Sequence, residues 1–229
     1  AILSVFLIHR LGQSLWNSTT ATIASLLMMG SYHHLIWAQS GRGYALTELL
    51  ALTSVFGTIL LLEGKSFKRG AWVLIFSGIA LCLTIPSNAY FLPGCGLAFV
   101  FVLWESRNSK IPVSWSHLGK KLLPFIFLAV STAGYLFWIY DDLVVGIQTY
   151  KNFLEQFTEV RYDLTRPWGI WFYLPVLYGA WTLNRAQRGF FLILLGTPAL
   201  LVILSGMIGP PRSYLYALPF LILLAALGI

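Results

Sequence analysis

One short polar stretch, Gln39-Ser40-Gly41-Arg42-Gly43-Tyr44, separates two long apolar runs of the chain, residues 17–37 and 45–62. Each run is close to the roughly 20 residues that a helix needs to cross a bilayer. The two glycines permit a tight turn and a close approach of the backbone to a bound group. The arginine between them needs water, a carboxylate or a phosphate as its partner. The stretch therefore predicts a hairpin of membrane helices whose turn either faces lipid headgroups or binds a phosphate.

The composition indicates a membrane protein. Of the 229 residues, 58% are hydrophobic and only 10% are charged, which is more apolar surface than a soluble domain requires. The net charge of +7 is spread over short loops between apolar runs, which argues against nucleic acid as a partner. Cys82 and Cys95 lie in apolar runs without a metal-ligand spacing. We therefore predict an all-α, polytopic transmembrane bundle that forms a single domain, residues 1–229.

Apolar runs recur along the whole chain and predict about eight membrane spans after a truncated first helix at residues 1–8. The predicted spans are residues 17–37, 45–62, 71–85, 88–104, 122–140, 167–183, 189–207 and 213–229. Those at 71–85 and 88–104 are short for a bilayer crossing, which indicates a tilt, a kink or a re-entrant turn. Because residue 1 is alanine and the first run is so short, we expect the chain to be a fragment of a longer protein.

Basic residues are distributed unequally between the two sides of the predicted membrane. Cytoplasmic loops carry the excess of Lys and Arg in membrane proteins. Ten basic residues lie on the side of His9: Arg10, Lys65, Lys68, Arg69, Arg107, Lys110, Lys120, Lys121, Arg185 and Arg188. Five lie on the other side: Arg42, Lys151, Arg161, Arg166 and Arg212. We therefore expect the first side to be cytoplasmic, and a bacterial inner membrane as the location.

The longest polar segment, residues 141–166, lies outside by this topology. Apolar residues recur in it at alternating spacings of four and three: Leu143, Ile147, Tyr150, Leu154 and Phe157. This spacing places one apolar stripe along a helix. The stripe predicts an amphipathic helix in the membrane interface, and a loop helix packed on the spans below it would show the same pattern.

Charged residues on the outer face are the candidates for chemistry. If the substrate is a sugar carried on a lipid phosphate, its transfer needs a carboxylate that takes the acceptor's proton. It also needs cations that stabilise the departing phosphate. The candidate carboxylates are Asp141, Asp142 and Glu48. The candidate cations are Arg42, Arg161, Arg166 and Arg212.

These candidates also have structural explanations. Asp141-Asp142 could bind a divalent metal ion through oxygen ligands, or cap the interfacial helix, which is the commoner arrangement. Glu48 is expected in the first turn of its helix, where the dipole favours a carboxylate. His33-His34 is expected to be a polar pair at the membrane interface, since adjacent helical residues point to different faces and chelate one metal poorly. No other cofactor motif is visible.

Residues 31–46, SYHHLIWAQSGRGYAL, resemble a segment of polyprenyl-phosphate-dependent glycosyltransferases of the multi-spanning C-type fold. The resemblance is greatest to dolichyl-phosphate-mannose–protein mannosyltransferase-like proteins, many of which carry a Ser-Gln-x-x-Arg-Gly-Tyr-Ala-Leu-like stretch. Leu83-Thr84-Ile85-Pro86 is similar to a Leu-Thr-His-Pro hairpin of that family, and residues 211–219 are similar to its late Pro-x-Arg-Tyr stretch. Ile85 replaces the frequent histidine, and Ser213 interrupts the Arg-Tyr pair.

The resemblance implies a membrane-embedded glycosyltransferase that moves a sugar from a polyprenyl-phosphate donor to an acceptor at the outer face. It implies lipid-phosphate binding by Arg42 and Tyr44, and by Arg212. The family keeps its principal catalytic carboxylate in the first outer loop, which would precede residue 1 if residues 1–8 end the second helix. The alternative is a non-catalytic transmembrane subunit that retains the fold, with other membrane subunits and lipids as its partners.

Overall fold

A computed structural model of the chain describes residues 1–39, 43–64, 66–108, 118–140, 168–205 and 211–229. This part of the chain contains helices and no strand, which confirms the predicted all-α class. The α-helices are α1 (Ile2–Leu15), α2 (Ser18–Gly30), α3 (Tyr32–Gln39), α4 (Tyr44–Glu63), α5 (Phe67–Thr84), α6 (Phe91–Asn108), α7 (Leu118–Trp138), α8 (Tyr173–Thr182), α9 (Arg185–Ser205) and α10 (Leu218–Leu227). Three 3₁₀ segments, Pro86–Tyr90, Gly169–Phe172 and Pro211–Ala217, lead into α6, α8 and α10.

Five of the described helices are long and apolar enough to cross a membrane. They are α4, α5, α7, α9 and the continuous helical stretch Pro86–Ser106. They coincide with five of the eight predicted spans, and their length and composition indicate a membrane protein. The predicted interfacial helix at residues 141–166 lies outside the described part of the chain.

The other three predicted spans fold as shorter or broken helices. Residues 17–37 divide into α2 and α3 because Gly30 is a weak helix former and Ser31 adopts an extended backbone, with φ −72° and ψ 120°. Gly169, with φ +63°, has a conformation outside the α-helical range and precedes the ten residues of α8. The final run is divided between Pro211–Ala217 and α10.

The first helix also differs from the prediction. We expected it to end at residue 8, whereas α1 continues through His9 and Arg10 to Leu15. The guanidinium of Arg10 lies 5.3 Å from the centre of the Phe6 ring, which is cation–π range. A basic residue at an apolar boundary therefore stays helical by placing its charge on an aromatic face.

The chain divides into two compact units, of which the first comprises Ala1–Leu52, Tyr150–Leu183 and Ile208–Ile229. Its centre is α10, which packs on α2 and α8. From Leu218 to Ala226 every residue of α10 is buried except Leu221, which is half-buried. Two close helix contacts depend on glycine. A Cβ on Gly12 would lie 2.8 Å from the Ala21 Cα, and a Cβ on Gly179 would overlap the carbonyl oxygen of Leu224. Small residues allow such close packing between membrane helices.

The second unit comprises Thr53–Thr149 and Asn184–Met207. In it α6 packs on α9, and α5 packs on α7. A Cβ on Gly57 would lie 2.8 Å from the Leu74 backbone nitrogen, so α4 and α5 also meet through a glycine. Ser54 and Ser77 form a buried hydrogen bond of 2.9 Å between these two helices. The second unit therefore uses small residues and paired hydroxyls, which are typical of helix contacts in membranes.

Candidate functional site

Glu48 and His34 form a buried pair in the first unit. The Nδ1 atom of His34 lies 2.5 Å from Oε2 of Glu48, and the two side chains are only 2% and 0% exposed. An ionised carboxylate can only accept hydrogen bonds, so with Glu48 ionised the Nδ1–H of His34 is the donor. Hydrogen bonds to charged groups are among the strongest in proteins. The pair therefore fixes the orientation of the Glu48 carboxylate.

The local sequence explains how the two residues meet. Ser31 interrupts the helix, and its Oγ accepts a hydrogen bond of 3.4 Å from the backbone N–H of His34, as helix-capping serines do. Further along the same hairpin, the rings of Trp37 and Tyr44 pack edge to face with centres 4.6 Å apart. The residues joining α3 to α4 therefore bring one aromatic pair and one acid–imidazole pair together.

Each partner of the pair keeps one polar atom without a hydrogen bond. Within the described part of the chain, Oε1 of Glu48 and Nε2 of His34 are buried and have no partner. Leaving a buried polar group unsatisfied costs about 1–3 kcal/mol. Unsatisfied buried atoms in a native protein call for a specific explanation. A ligand that donates to Oε1 is one such explanation.

The predicted site residues fall into three groups. Glu48 and Tyr44 lie on α4, where Glu48 is buried and Tyr44 is half-buried. Arg212 lies in the segment Pro211–Ala217, but its side chain is outside the described part of the chain. The remaining predicted residues are also outside it: Arg42, Asp141, Asp142, Arg161 and Arg166. The predicted site formed by Arg42 and Arg212 therefore stays a prediction.

One prediction about this region is corrected by the structure. Because α4 begins at Tyr44, Glu48 lies in the second turn, and its contact is with His34 instead of the helix terminus. His33 and His34 are 5% and 1% exposed, so both side chains are buried in the protein, and their depth in the membrane stays a prediction. The break at Ser31 explains the burial, since it starts a new helix and redirects both histidines.

The described residues contain no group of three or more His, Cys, Asp or Glu side chains that could hold a metal ion. The Asp141-Asp142 pair considered for a divalent ion lies outside these residues. Within the described part, the chemistry of the site is therefore that of a carboxylate and an imidazole.

Fold and site define a class: in its described residues, an all-helical chain with five helices long and apolar enough to cross a membrane and a buried acid–imidazole pair between two successive helices. Comparison of the chain with protein families, with curated proteins and with solved structures finds no match in any of the three. The functional argument therefore depends on the residues themselves.

Proposed function

We propose that the protein is a membrane-embedded glycosyltransferase that moves a sugar from a polyprenyl-phosphate donor to an acceptor at the outer membrane face. One observation carries the proposal: Glu48 is a buried carboxylate with one oxygen held by His34 and the other without a partner in the described chain. A positioned carboxylate is a common general base. A base that is oriented by a second group is the usual arrangement for proton abstraction.

In this proposal Oε1 of Glu48 takes the proton of the acceptor hydroxyl. The acceptor oxygen forms a bond to the anomeric carbon as the bond from that carbon to the phosphate oxygen breaks. The lipid phosphate leaves with the bonding electrons. His34 contacts Oε2 and is a positioning residue, because it keeps the other oxygen directed at the acceptor.

Cations complete the proposed site. Arg42 belongs to the stretch that joins α3 to α4, three residues after Gln39 and two before Tyr44, so chain connectivity keeps it near the start of α4. A guanidinium matches the planar donor geometry that phosphate oxygens accept. We assign donor-phosphate binding to Arg42, Tyr44 and Arg212, with Arg161 and Arg166 as further cations. Asp141 and Asp142 remain the alternative carboxylates, with a divalent ion between them as an option.

The proposed topology has eight spans and residues 141–166 outside a bacterial inner membrane. The five long apolar helices support this arrangement. The ten-to-five division of basic residues supports the orientation. Under this topology the start of α4, with Glu48 and Tyr44, lies toward the outer face.

A non-catalytic membrane subunit is the second candidate, and the exposed apolar surface favours it. On α7 six large apolar side chains are exposed, among them Phe127, Val130, Phe137 and Trp138. Such a surface fits either lipid or the helices of another subunit. In that case His34 and Glu48 would only join α3 to α4.

The test is sugar transfer by the full-length protein in liposomes, with a radiolabelled mannosyl polyprenyl phosphate as the probe donor. We expect Glu48→Gln to lower the rate by roughly 10²–10⁴-fold, the usual contribution of a general base. Glu63→Gln is the matched control, since Glu63 is an exposed carboxylate on the same helix. Equal rates in Glu48→Gln and wild type remove the base role. Absence of transfer by folded wild type favours the subunit.

A further inference from the structure

An apolar groove of about 570 Å³ lies in the second unit, between α5, α6 and α7. Its lining is almost entirely aliphatic and aromatic, with side chains such as Leu97, Leu122, Ile126, Ala133 and Leu136. Among its lining residues only Tyr90 and Thr132 carry a side-chain hydroxyl, so a groove of this composition favours an apolar ligand over a polar one. It therefore fits a hydrocarbon chain.

The helices on either side of the groove, α5 and α7, run parallel and in register. The Sγ of Cys82 lies 3.6 Å from the Oγ1 of Thr132. One turn earlier on both helices, a Cβ on Gly78 would lie 2.8 Å from a methyl carbon of Leu128. Both pairs are separated by 50 residues in the chain. The first turns of α5 and α7 therefore lie at the same end of the groove.

That common end is strongly basic. Lys68 and Arg69 lie in the first turn of α5, and Lys120 and Lys121 lie in the first turn of α7. The Nζ of Lys121 lies 3.7 Å from the position of a Cβ on Gly64, which precedes α5. Within the described part of the chain, none of the four cations forms an ion pair, although the exposed carboxylate of Glu63 lies in the same loop region.

Helix electrostatics make these positions unusual. A helix N-terminus carries a partial positive charge, so basic residues in the first turn are unfavourable unless an anion is present. Free backbone N–H groups at the same place bind phosphate well. The positive-inside rule explains basic residues in a loop. It does not explain why an apolar groove begins at Leu122, directly after the basic residue Lys121.

The groove is also long enough for an acyl chain that crosses one leaflet. On α7 its lining extends from Leu122 to Leu136, which is about 21 Å at 1.5 Å per residue. One leaflet of the hydrocarbon core is about 15 Å thick, half of the usual 30 Å. We propose that the second unit binds an anionic membrane phospholipid, with one acyl chain in this groove and the headgroup phosphate at Lys68, Arg69, Lys120 and Lys121. This site does not depend on sugar transfer.

Native mass spectrometry of the full-length protein in non-ionic detergent tests the charge requirement. The probes are phosphatidylglycerol and phosphatidylcholine with identical acyl chains. We expect tighter binding of phosphatidylglycerol, and a roughly 30-fold loss in Lys120→Gln/Lys121→Gln, because each basic residue near an anionic lipid contributes about fivefold. The control is Arg185→Gln/Arg188→Gln, which removes two charges at the start of α9, where the Arg185 side chain is 82% exposed. Equal binding of the two lipids by wild type overturns the proposal.

A second pair of variants tests the groove. Ala133→Trp fills it, whereas Val130→Trp adds the same side chain one turn earlier, at a residue that is 68% exposed and does not line the groove. We expect Ala133→Trp to abolish phosphatidylglycerol binding and Val130→Trp to retain it. Unchanged lipid binding by Ala133→Trp shows that another part of the chain covers the groove. If the wild type is a dimer and Ala133→Trp is a monomer, the groove is assigned to a second copy of the chain. Either result overturns the proposal.

Discussion

Nδ1 of His34 and Oε2 of Glu48 lie 2.5 Å apart in the interior of the first unit. The two residues are 14 positions apart in the chain, on helices that follow one another. Their contact therefore closes a helical hairpin by a buried acid–imidazole hydrogen bond instead of by apolar packing alone.

The contributions of His34 and Glu48 to the free energy of unfolding should depend strongly on each other. Truncation of one partner leaves the other buried without compensation, and breaking a buried charged pair typically costs roughly 3–5 kcal/mol. We expect His34→Ala and Glu48→Ala each to lower the free energy of unfolding. The double variant should be more stable than the sum of the single effects predicts, by about 0.5–3 kcal/mol.

Unfolding in mixed detergent micelles measures all four members of this cycle. If the two single-variant losses add up to the loss in the double variant within about 0.5 kcal/mol, the two side chains act independently. Such a result would also weaken the positioning role of His34 in the proposed reaction.

The all-helical class and the five long apolar helices were predictable from the sequence, whereas the contact inside the hairpin was missed. The apolar runs located α4, α5, α7 and α9 because hydrophobic length alone identifies a helix of about 20 residues. The His34–Glu48 contact was not predicted, although a hairpin argument could have found it. The pairs 34 with 48 and 37 with 44 are centred at residues 41 and 40.5, so both contacts agree with one antiparallel pairing of α3 with α4.

The broken helices were not predictable from hydropathy. Residues 17–37 are apolar on both sides of Ser31. A hydropathy average over this run therefore detects a span and cannot detect the break in the helix. The break depends instead on a local hydrogen bond, in which the hydroxyl of Ser31 accepts from the backbone N–H of His34. The burial of Glu48 was missed for a related reason, because its partner comes from the other helix of the hairpin.

Glycine contacts between helices give a second prediction. Gly179 on α8 faces the carbonyl oxygen of Leu224 so closely that a methyl group would overlap it. Gly179→Ala should therefore separate α8 from α10 and destabilise the first unit by about 1–3 kcal/mol or more, the usual cost of overpacking.

Gly134→Ala is the matched control. Gly134 lies inside α7, and a Cβ there meets nothing within 4 Å. Alanine is favoured over glycine inside a helix by about 0.5–1 kcal/mol, so this variant should be neutral or stabilising. Thermal unfolding of both variants in one detergent decides the point: equal melting temperatures would contradict the close α8–α10 contact.

The orientation in the membrane gives a third prediction. Ser66 precedes α5 beside the basic residues Lys68 and Arg69, and Thr158 lies in the long polar segment. With the excess of basic residues inside, Ser66→Cys should react with a membrane-impermeant maleimide only after the cells are opened. Thr158→Cys should react in intact cells. Reaction of both cysteines from the same side would refute the topology.

The last prediction concerns Arg42 and the phosphate of the donor lipid. A guanidinium binds two phosphate oxygens with parallel hydrogen bonds, whereas an ammonium acts as a point charge. We therefore expect Arg42→Lys to lose most binding of polyprenyl phosphate and to keep its stability, because the substitution retains the positive charge. Arg42→Ala should bind no better than Arg42→Lys.

The competing explanation gives a different result, since an arginine that only faces lipid headgroups is replaceable by lysine. Binding of polyprenyl phosphate is measured at matched amounts of folded protein for wild type, Arg42→Lys and Arg42→Ala. Arg10→Lys is the control, because Arg10 is an exposed arginine on α1 whose described contact is the Phe6 ring. Equal affinity in wild type and Arg42→Lys removes the bidentate role. A loss in Arg42→Lys with no loss in Arg10→Lys assigns the phosphate to the turn between α3 and α4, the turn that also brings Glu48 to His34.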